Sequence, residues 1–581
     1  MIAKMMFRLL PTQILLAAVG AVNGIVSGLF ASNSVGVAAM SAVGLYAPFN
    51  MFVTAVRIML SGGAAILCGK YMGRNQVDKT QDVFSLDVAL SAVIAALFAA
   101  LLLVLSLFDL TGVFTKDPEV RRYFNQYLLG QAIGVLPLFV GNQLPTFLSM
   151  ERKSSMTMTA SLVYIAVNVV LNFLFVKLLH MEAFGLALAS SLGIWVFFFI
   201  VARHFMSPAA NMHFRTRNIP WRGSKELIII GIPGAAANGY ETLRGIIVNH
   251  LIMLFVGSAG LSAFAASDQL LRLFWSIPVG MIAVSRLLMS VSIGEEDRQT
   301  LTDIMRTMFS RFVPLMYCVS AAIILLAVPL TRLFYRDPSE PVYMMTVWGF
   351  RILPLCMPLS IICMHFVGYG QASGKQVLVH LLSLLDGVVC VAGFSAILIR
   401  FLGMNSVYIA NVLNGVVTTL VIVAYAWIRR KRFPTTMDAL MVIPEDFGVP
   451  AEARLDLTLR SMEEVVNISQ RIESFCRERG LDARRSYLAG LCMEEMAGNV
   501  VDHGFTKDRK KHSVDVRVVH KDNDLILRIK DDCVPFDPAE RQRIVDPEDA
   551  AKNIGIRMVY SIADDITYQN ILGMNVLTIR L

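Results

Sequence analysis

Charge is the scarcest property of this chain. Only 17% of its 581 residues are charged while 55% are hydrophobic, and the mean hydropathy is +0.59. A soluble protein carries about 25% charged residues, so a wholly water-soluble fold is excluded. The scarcity is uneven, because the segment from Pro444 onward is dense in Asp, Glu, Lys and Arg. Paired cysteines are missing too. Cys68, Cys318, Cys356, Cys363, Cys390, Cys476, Cys492 and Cys533 form no CxxC and lie mostly in apolar runs or in the charged tail. That pattern reads as reduced thiols and no metal site. No A-x-A-like cleavage site follows the first apolar run near Leu9, so the expectation is a retained helix and not a signal peptide. The net charge of +8 does not signal nucleic acid, because the basic residues sit mainly in short loops between apolar runs.

The apolar runs dominate what is present. A bilayer crossing takes about 20 apolar residues, and twelve runs qualify: residues 9–31, 42–67, 83–108, 123–150, 156–179, 184–202, 227–256, 261–288, 305–333, 345–370, 377–399 and 407–428. Lys70, Arg74 and Lys79 follow the second run, and Arg152 and Lys153 the fourth. Arg203, Arg215, Arg217, Arg222 and Lys225 follow the sixth, and Arg429-Arg430-Lys431-Arg432 the last. The opposite loops hold fewer cations, so both termini are expected in the cytoplasm. An even number of runs also requires the termini on one side. The expectation is a polytopic α-helical protein embedded in the lipid of the cytoplasmic (inner) membrane.

The runs repeat. Val113-Phe114-Thr115-Lys116-Asp117-Pro118 returns as Leu333-Phe334-Tyr335-Arg336-Asp337-Pro338, Val135-Leu136-Pro137-Leu138 as Ile352-Leu353-Pro354-Leu355, and Pro11 as Pro233. Each pair lies about 220 positions apart, which argues for duplication. The division that follows is two six-helix bundles, 1–215 and 216–432, a Pro- and acid-rich linker at 433–450, and a soluble domain at 451–581. Six runs per half make the repeat parallel and place a substrate between the halves near the bilayer midplane. A duplicated scaffold without cargo is the alternative.

Met40-Ser41-Ala42-Val43-Gly44-Leu45-Tyr46-Ala47-Pro48 resembles the "LAAvGlafP" stretch of the multidrug and toxic compound extrusion (MATE) transporters. Asn168-Val169-Val170-Leu171-Asn172 followed by Gly185-Leu186-Ala187-Leu188-Ala189 resembles their "NiiLd…GaAlA" signature. The resemblance covers roughly the first 430 residues. It implies export of small organic molecules by a secondary antiporter that is coupled to H⁺ or Na⁺ and alternates access between two bundles. Many members carry an aspartate in the first span that takes the coupling ion. Here Ser27 occupies that place with Asn23 one turn earlier, and neither titrates near neutral pH.

A charge at a helix centre costs about 2.5–3.5 kcal/mol on insertion scales, so it tends to have a partner or a role. Glu241 lies behind Gly231-Ile232-Pro233-Gly234, with Arg244 at i+3. It reads either as a protonatable coupling or cation-binding site or as a local pair that holds the bundle. Asp386 is the second candidate carboxylate. Asp268 and Arg272 read as a structural i+4 pair, and Arg57, His250 and His365 as residues that either hold the structure or line a cavity. Asn168 and Asn172 share a helix face and either bind cargo or bond across helices.

The charged tail alternates differently. Ala453 to Leu459 and Ser513 to His520 have strand periodicity, and Leu525 to Lys530 pairs back after the Lys521-Asp522-Asn523-Asp524 turn. Ser461 with Glu464 forms a capping box for a first helix. A second helix is expected from Ala483 to His503, a third near 554–562, and closing strands at 565–569 and 575–579. The fold class is a two-layer α+β sandwich. On the second helix Glu495, Asn499 and His503 recur every fourth residue, which by itself suits a solvated face as well as a ligand.

The spacing E-x-x-x-N-x-x-x-H-G resembles the N box of the GHKL ATPases, closest to anti-sigma-factor serine kinases. Asp531-Asp532-Cys533-Val534-Pro535-Phe536-Asp537-Pro538 resembles their "D-x-G-x-x-F-D-P" box, and Asn553-Ile554-Gly555-Ile556-Arg557-Met558-Val559 their "G-x-G-x-x-(L/M)-V" box. The resemblance implies ATP and Mg²⁺ as cofactors, with Asn499 as the metal ligand and Glu495 as the general base. It further implies His503 beside them, Asp531 on the adenine amino group, and Asn553 and Gly555 at the phosphates. Cys533 and Asn553 replace glycines of the boxes, and the segment between Pro538 and Asn553 is short and lacks a glycine run. A degenerate domain that docks a regulatory protein partner is the other reading of the tail.

Nothing in the chain resembles a Walker A motif, which argues against direct ATP-driven transport. The leading expectation is therefore an ion-coupled exporter whose tail senses nucleotide or a partner. The rival is a membrane-bound signalling protein that senses a ligand and phosphorylates a partner through an anti-sigma-like tail.

Overall fold

The structure is a computed structural model. It describes residues 2–30, 37–151, 153–208, 210–215, 219–449, 451–505, 512–521, 524–534, 536–539, 554–571 and 574–581. In the first helix the side chains from Gly20 onward lie outside the described residues, and with them Asn23 and Ser27.

The first half contains α1 (Ile2–Phe30), α2 (Val37–Leu45), α3 (Ala47–Gly73), α4 (Val77–Leu107), α5 (Pro118–Met150), α6 (Ser154–Asn172) and α7 (Glu182–Phe205). The second half contains α8 (Ser224–Phe255), α9 (Ser258–Gly294), α10 (Arg298–Thr307), α11 (Val313–Leu325), α12 (Ala327–Arg332), α13 (Pro341–Ile352), α14 (Met357–Ser373), α15 (Gln376–Leu384), α16 (Cys390–Leu402) and α17 (Asn405–Arg430). Ten helical segments among the described residues are long and apolar enough to cross a membrane. The 29-residue α1 and the 32-residue α8 complete the series. α8 falls short on hydropathy because Asn238, Glu241, Arg244, Asn249 and His250 interrupt it.

Paired positions of the two halves share part of their local structure. Asp117 caps α5, accepting from the N–H groups of Glu119 and Val120 (2.9 and 3.3 Å), and Pro118 fills the first helical position, where no N–H is needed. In the second half Asp337 caps only a turn, accepting from Ser339 (2.9 Å), and α13 starts later, at Pro341. Each half also inserts one wide π-type turn into its fifth span, Phe173–Leu178 and Leu385–Val389. Such turns are rare and cluster at functional sites.

The halves meet where the tail attaches. Gly69 and Gly73 of α3 lie against Ser290, Val291 and Gly294 of α9, and Gly294 lies on the Lys70 carbonyl, with no room for a Cβ at any of the three glycines. Gly63 and Gly231 make the same approach between α3 and α8, and Gly280 of α9 rests on Ile14 of α1. Backbones this close exclude water and seal one end of the interface between the halves. Farther along α8, toward the other end, Gly239 and Gly245 have nothing within 4 Å.

The segment expected as a linker is folded onto the bundle. α18 (Met437–Met441) is capped by Thr436, Arg430 donates to the carbonyls of Asp438 and Ile443 (3.3 and 2.6 Å), and Met441 and Ile443 are buried in the membrane-domain core. Beyond it the tail is a five-stranded antiparallel sheet in the order β1-β2-β3-β5-β4. Its strands are β1 (Arg454–Leu459), β2 (Val514–Lys521), β3 (Asp524–Asp531), β4 (Asp565–Ile571) and β5 (Met574–Arg580). α19 (Met462–Glu478), α20 (Ala483–Asn499) and α21 (Ile554–Ile562) cover one face. The capping box at α19 is half formed. Ser461 makes no side-chain cap bond, and Glu464 reaches back to the N–H of Arg460.

Alternation gives the sheet two uses. Leu525, Leu527 and Ile529 of β3 pack under the helices, while Arg528 and Lys530 point the other way, beside Arg517 of β2. That second face docks on the sealed end of the bundle. Arg517 pairs with Asp297 (2.6 Å), Lys530 with Glu295 (2.5 Å), and Val576 and Met574 join the membrane-domain core.

Candidate functional site

Three of the predicted site residues in the tail boxes line one pocket. Asn499 ends α20, His503 follows in a wide turn at Val500–Gly504, and Asp531 ends β3, with Phe536, Tyr568 and Asn575 completing the walls. The wide turn breaks the straight i+4 stripe that the sequence implies, yet His503 still faces the pocket. Asp531 is 4% exposed and accepts from Asn575 Nδ2 (2.6 Å) and the Cys533 N–H (2.9 Å). Burial pushes its carboxyl above the usual range, and these two bonds oppose the rise. Asn575 Oδ1 accepts from the Tyr568 hydroxyl (2.9 Å), whose oxygen accepts from the Phe536 N–H (3.0 Å).

The Glu495 carboxylate packs on Gly555 at the start of α21, where a Cβ would have to push that side chain aside. Asn553 lies outside the described residues. Cys533 turns its Sγ toward Gly504, 3.0 Å from where a Cβ would stand, so the side chain that replaces the box glycine forms a wall of the pocket. The residue types match a Mg-nucleotide site, but the space does not. The free volume is about 40 Å³, against roughly 300–1,000 Å³ for ligand pockets, and Asp531 already holds Asn575.

The rim of this pocket touches the bundle. Lys4 of α1 donates to Asp532 (2.7 Å), and Asp532 also faces His512 Nδ1 (2.8 Å). Burial opposes ionisation of Asp532, but Lys4 and His512 outweigh it and hold the carboxyl below its ordinary range. Gln569 of β4 bonds Asn75, in the turn between α3 and α4. The tail therefore grips the first half through Lys4 and Asn75 and the second half through Glu295 and Asp297.

Inside the bundle, Glu241 and Arg244 pair at 3.4 Å, and Arg244 reaches the Asp386 carbonyl (3.3 Å). Asn414 donates to the Asp386 carboxylate (2.7 Å). The wide turn at Leu385–Val389 carries Asp386 to this group, so three predicted residues meet in the second half. Asn168 and Asn172 are buried, bond each other (3.0 Å), and reach Ser190 of α7 (3.3 Å). His365 is buried against Ser285 (2.8 Å), and Arg57 donates to Asn142 (2.7 Å).

Asp87 of α4 was not legible as a site. It is fully buried, and neither carboxylate oxygen has a hydrogen-bond partner among the described residues. The signal available was an acid four residues inside the run that starts at Val83.

Residues 9–174 match the profile of the MatE family, and residues 436–581 match the histidine kinase-like ATPase domain. The probable multidrug resistance protein NorM of Bacillus subtilis is 25% identical over 178 residues, 29% of this chain and 39% of that protein. Its namesake from Halalkalibacterium halodurans is 23% identical over 299 residues, 50% and 63% of the two chains. The chain spans less than two thirds of the length of these curated relatives. In three dimensions it is similar to a MATE protein crystallised with MaD3S, at TM-score 0.68 and 20% identity over 76% of this chain and 97% of that one. It is equally similar to the outward-facing conformation of a multidrug resistance MATE family transporter of the MOP superfamily, at TM-score 0.68 and 20% identity over 76% and 96%. Sequence profile, relatives and fold thus converge: the chain matches the MatE family over residues 9–174, and its MATE-like membrane fold is joined to a histidine kinase-like ATPase domain.

Proposed function

We propose that this protein is a MATE-type secondary antiporter that exports small organic molecules across the cytoplasmic membrane. Both termini lie in the cytoplasm, and the tail biases the transport cycle. The observation that carries this reading is the seam: two six-helix halves closed at the tail side by α3 and α9 and bridged there by the tail. Alternating access requires that seal to open. The tail cannot hold Glu295 and Asp297 of one half and Lys4 and Asn75 of the other while they separate, so docking favours the outward-open state. Coupling to H⁺ or Na⁺ needs a carboxylate, and Glu241, Asp386 and Asp87 are the candidates the bundle offers. ATP with Mg²⁺ is the ligand class that Asn499 and Asp531 match, and a regulatory protein is a second partner for the tail. The pocket in its present state does not fit a nucleotide, so no step of the cycle is assigned to ATP.

The test is dye efflux from cells that express the full chain, its Glu241→Gln variant and its Asn499→Ala variant. Wild type expels dye, Glu241→Gln does not, and Asn499→Ala still does, since no step of the cycle is assigned to a nucleotide. A wild-type chain that expels no more dye than an empty vector refutes the exporter reading.

A further inference from the structure

A cavity of about 820 Å³ lies at the tail-side end of α17, apart from both the tail pocket and the seam. Four cations line it: Lys375 from the turn between α14 and α15, and Arg429, Arg430 and Arg432. Lys431 ends α17 in the left-handed conformation (φ 55°), which turns the chain so that Arg432 and Phe433 also face the cavity. Glu445 is the one acid in the lining, and among the described residues none of the four cations pairs with a carboxylate within 4.0 Å.

Three of the cations are instead held in place by neutral groups. Arg430 is fixed by two backbone carbonyls, Arg429 lies over the Tyr425 ring (5.6 Å), and Lys375 over the Tyr369 ring (5.4 Å). Burial, then Arg429 and Arg430, hold the Lys375 ammonium below the usual lysine range. Positive charge is thus concentrated, oriented and not neutralised, which is the electrostatic signature of an anion site. Arg in this setting suits a phosphate, whose oxygens take its forked N–H donors.

The surroundings are apolar on one side. Trp427 packs edge-on against Phe433 (6.2 Å), and both are exposed together with Ile428 and Val377. Exposed aromatics beside Arg and Lys at the end of a spanning helix mark the level of lipid headgroups. The opposite wall is the segment that tethers the tail, from Ala439 to Glu445, and its Pro444 carbonyl accepts from Arg298.

We propose that this cavity binds a phosphate-bearing anion. Two sources share that chemistry, the headgroup of an anionic phospholipid and a soluble phosphate compound, and the apolar skirt favours the lipid. An occupant touches α17 and the tether at once, so it steadies the seat of the tail. This inference stands whether or not the chain exports anything.

The test uses the purified full chain in detergent. Thermal unfolding is followed with phosphatidylglycerol, phosphatidylcholine or pyrophosphate added, for wild type and for Arg429→Gln/Arg432→Gln. Phosphatidylglycerol is expected to raise the wild-type midpoint by a few degrees, phosphatidylcholine to leave it unchanged, and the variant to lose the response. Pyrophosphate that gives the same rise supports the site and assigns a soluble phosphate to it. An equal rise with phosphatidylcholine, or an equal response in the variant, overturns the proposal. Because the cluster also guides insertion, wild type is cross-linked in parallel with a photoactivatable phosphatidylglycerol. Adducts on residues 425–445 that pyrophosphate or unlabelled lipid displaces support the site, and adducts confined to other segments overturn it.

Discussion

Replacing Asp297 by Asn tests whether charge seats the tail. Asp297 is 2% exposed and has two tasks. It caps α10 through Thr300 N and Oγ1 (2.9 and 2.7 Å), and it pairs with Arg517 (2.6 Å) and, more distantly, Lys530 (3.8 Å). Asn retains the capping oxygen and loses the charge. Neither cation is stranded, because Arg517 keeps Asp456 and Lys530 keeps Glu295 (both 2.5 Å). The expected loss is therefore about 1.5–3 kcal/mol, the worth of a hydrogen bond to a charged group. That is a roughly 10- to 150-fold fall in the docked-to-undocked ratio.

Adding Glu295→Gln leaves Lys530 without a carboxylate among its ion-pair partners. The total should then climb to about 3–5 kcal/mol or beyond, more than the sum of the single changes. Spin labels at Asp78→Cys and Glu478→Cys, with exposed Cys318 replaced, report the distance between bundle and tail. A distance distribution unchanged in the double variant would refute the claim that these charges seat the tail. Acid supplies a second reading. Burial alone would raise the Asp297 carboxyl, but Lys530 and Arg517 together outweigh it and hold it well below the ordinary range. Docking is therefore whole above about pH 4, the ordinary carboxylate pKa, and is lost only as pH falls through the depressed value.

Further outcomes follow from the same geometry. Gly294→Leu should force α9 off the Lys70 carbonyl at a cost of at least about 1–3 kcal/mol. Thiol labelling of Ser290→Cys, silent in the sealed seam, should then become fast. Asp87→Asn should fold normally and abolish ion-driven efflux while substrate counterflow continues in proteoliposomes, and unchanged efflux would remove Asp87 from the coupling candidates. Asn575→Ala should destabilise the tail by about 1–3 kcal/mol in denaturant titration, because Asp531 stays buried with one partner fewer. Since burial already raises the Asp531 carboxyl, the tail of that variant should be most stable at low pH and weaken as pH rises through the raised value.

Much of the membrane half was legible because lipid forces a simple code of long apolar runs. The broken spans were less so. Pro137 leaves α5 continuous, while its repeat Pro354 sits in a 3₁₀ turn between α13 and α14, at Leu353–Cys356. The difference depends on neighbours such as Ser320, whose hydroxyl donates to the Pro354 carbonyl (2.6 Å). In the tail, Asn499, His503 and Asp531 of the boxes line one pocket, although a wide turn and not a straight helix carries His503 there. The spacing gave no hint that Asn575 and Tyr568, from the closing strands, bond in a chain to Asp531 inside that pocket.

Sequence alone determined the membrane class and the identity of the tail, because periodicity and composition are local properties of the chain. Which end of the bundle is sealed, and that Arg517 and Lys530 meet Asp297 and Glu295, were decided only in three dimensions. Glycines that admit a backbone and sheet cations that find acids more than two hundred positions away act through contacts that no local pattern encodes.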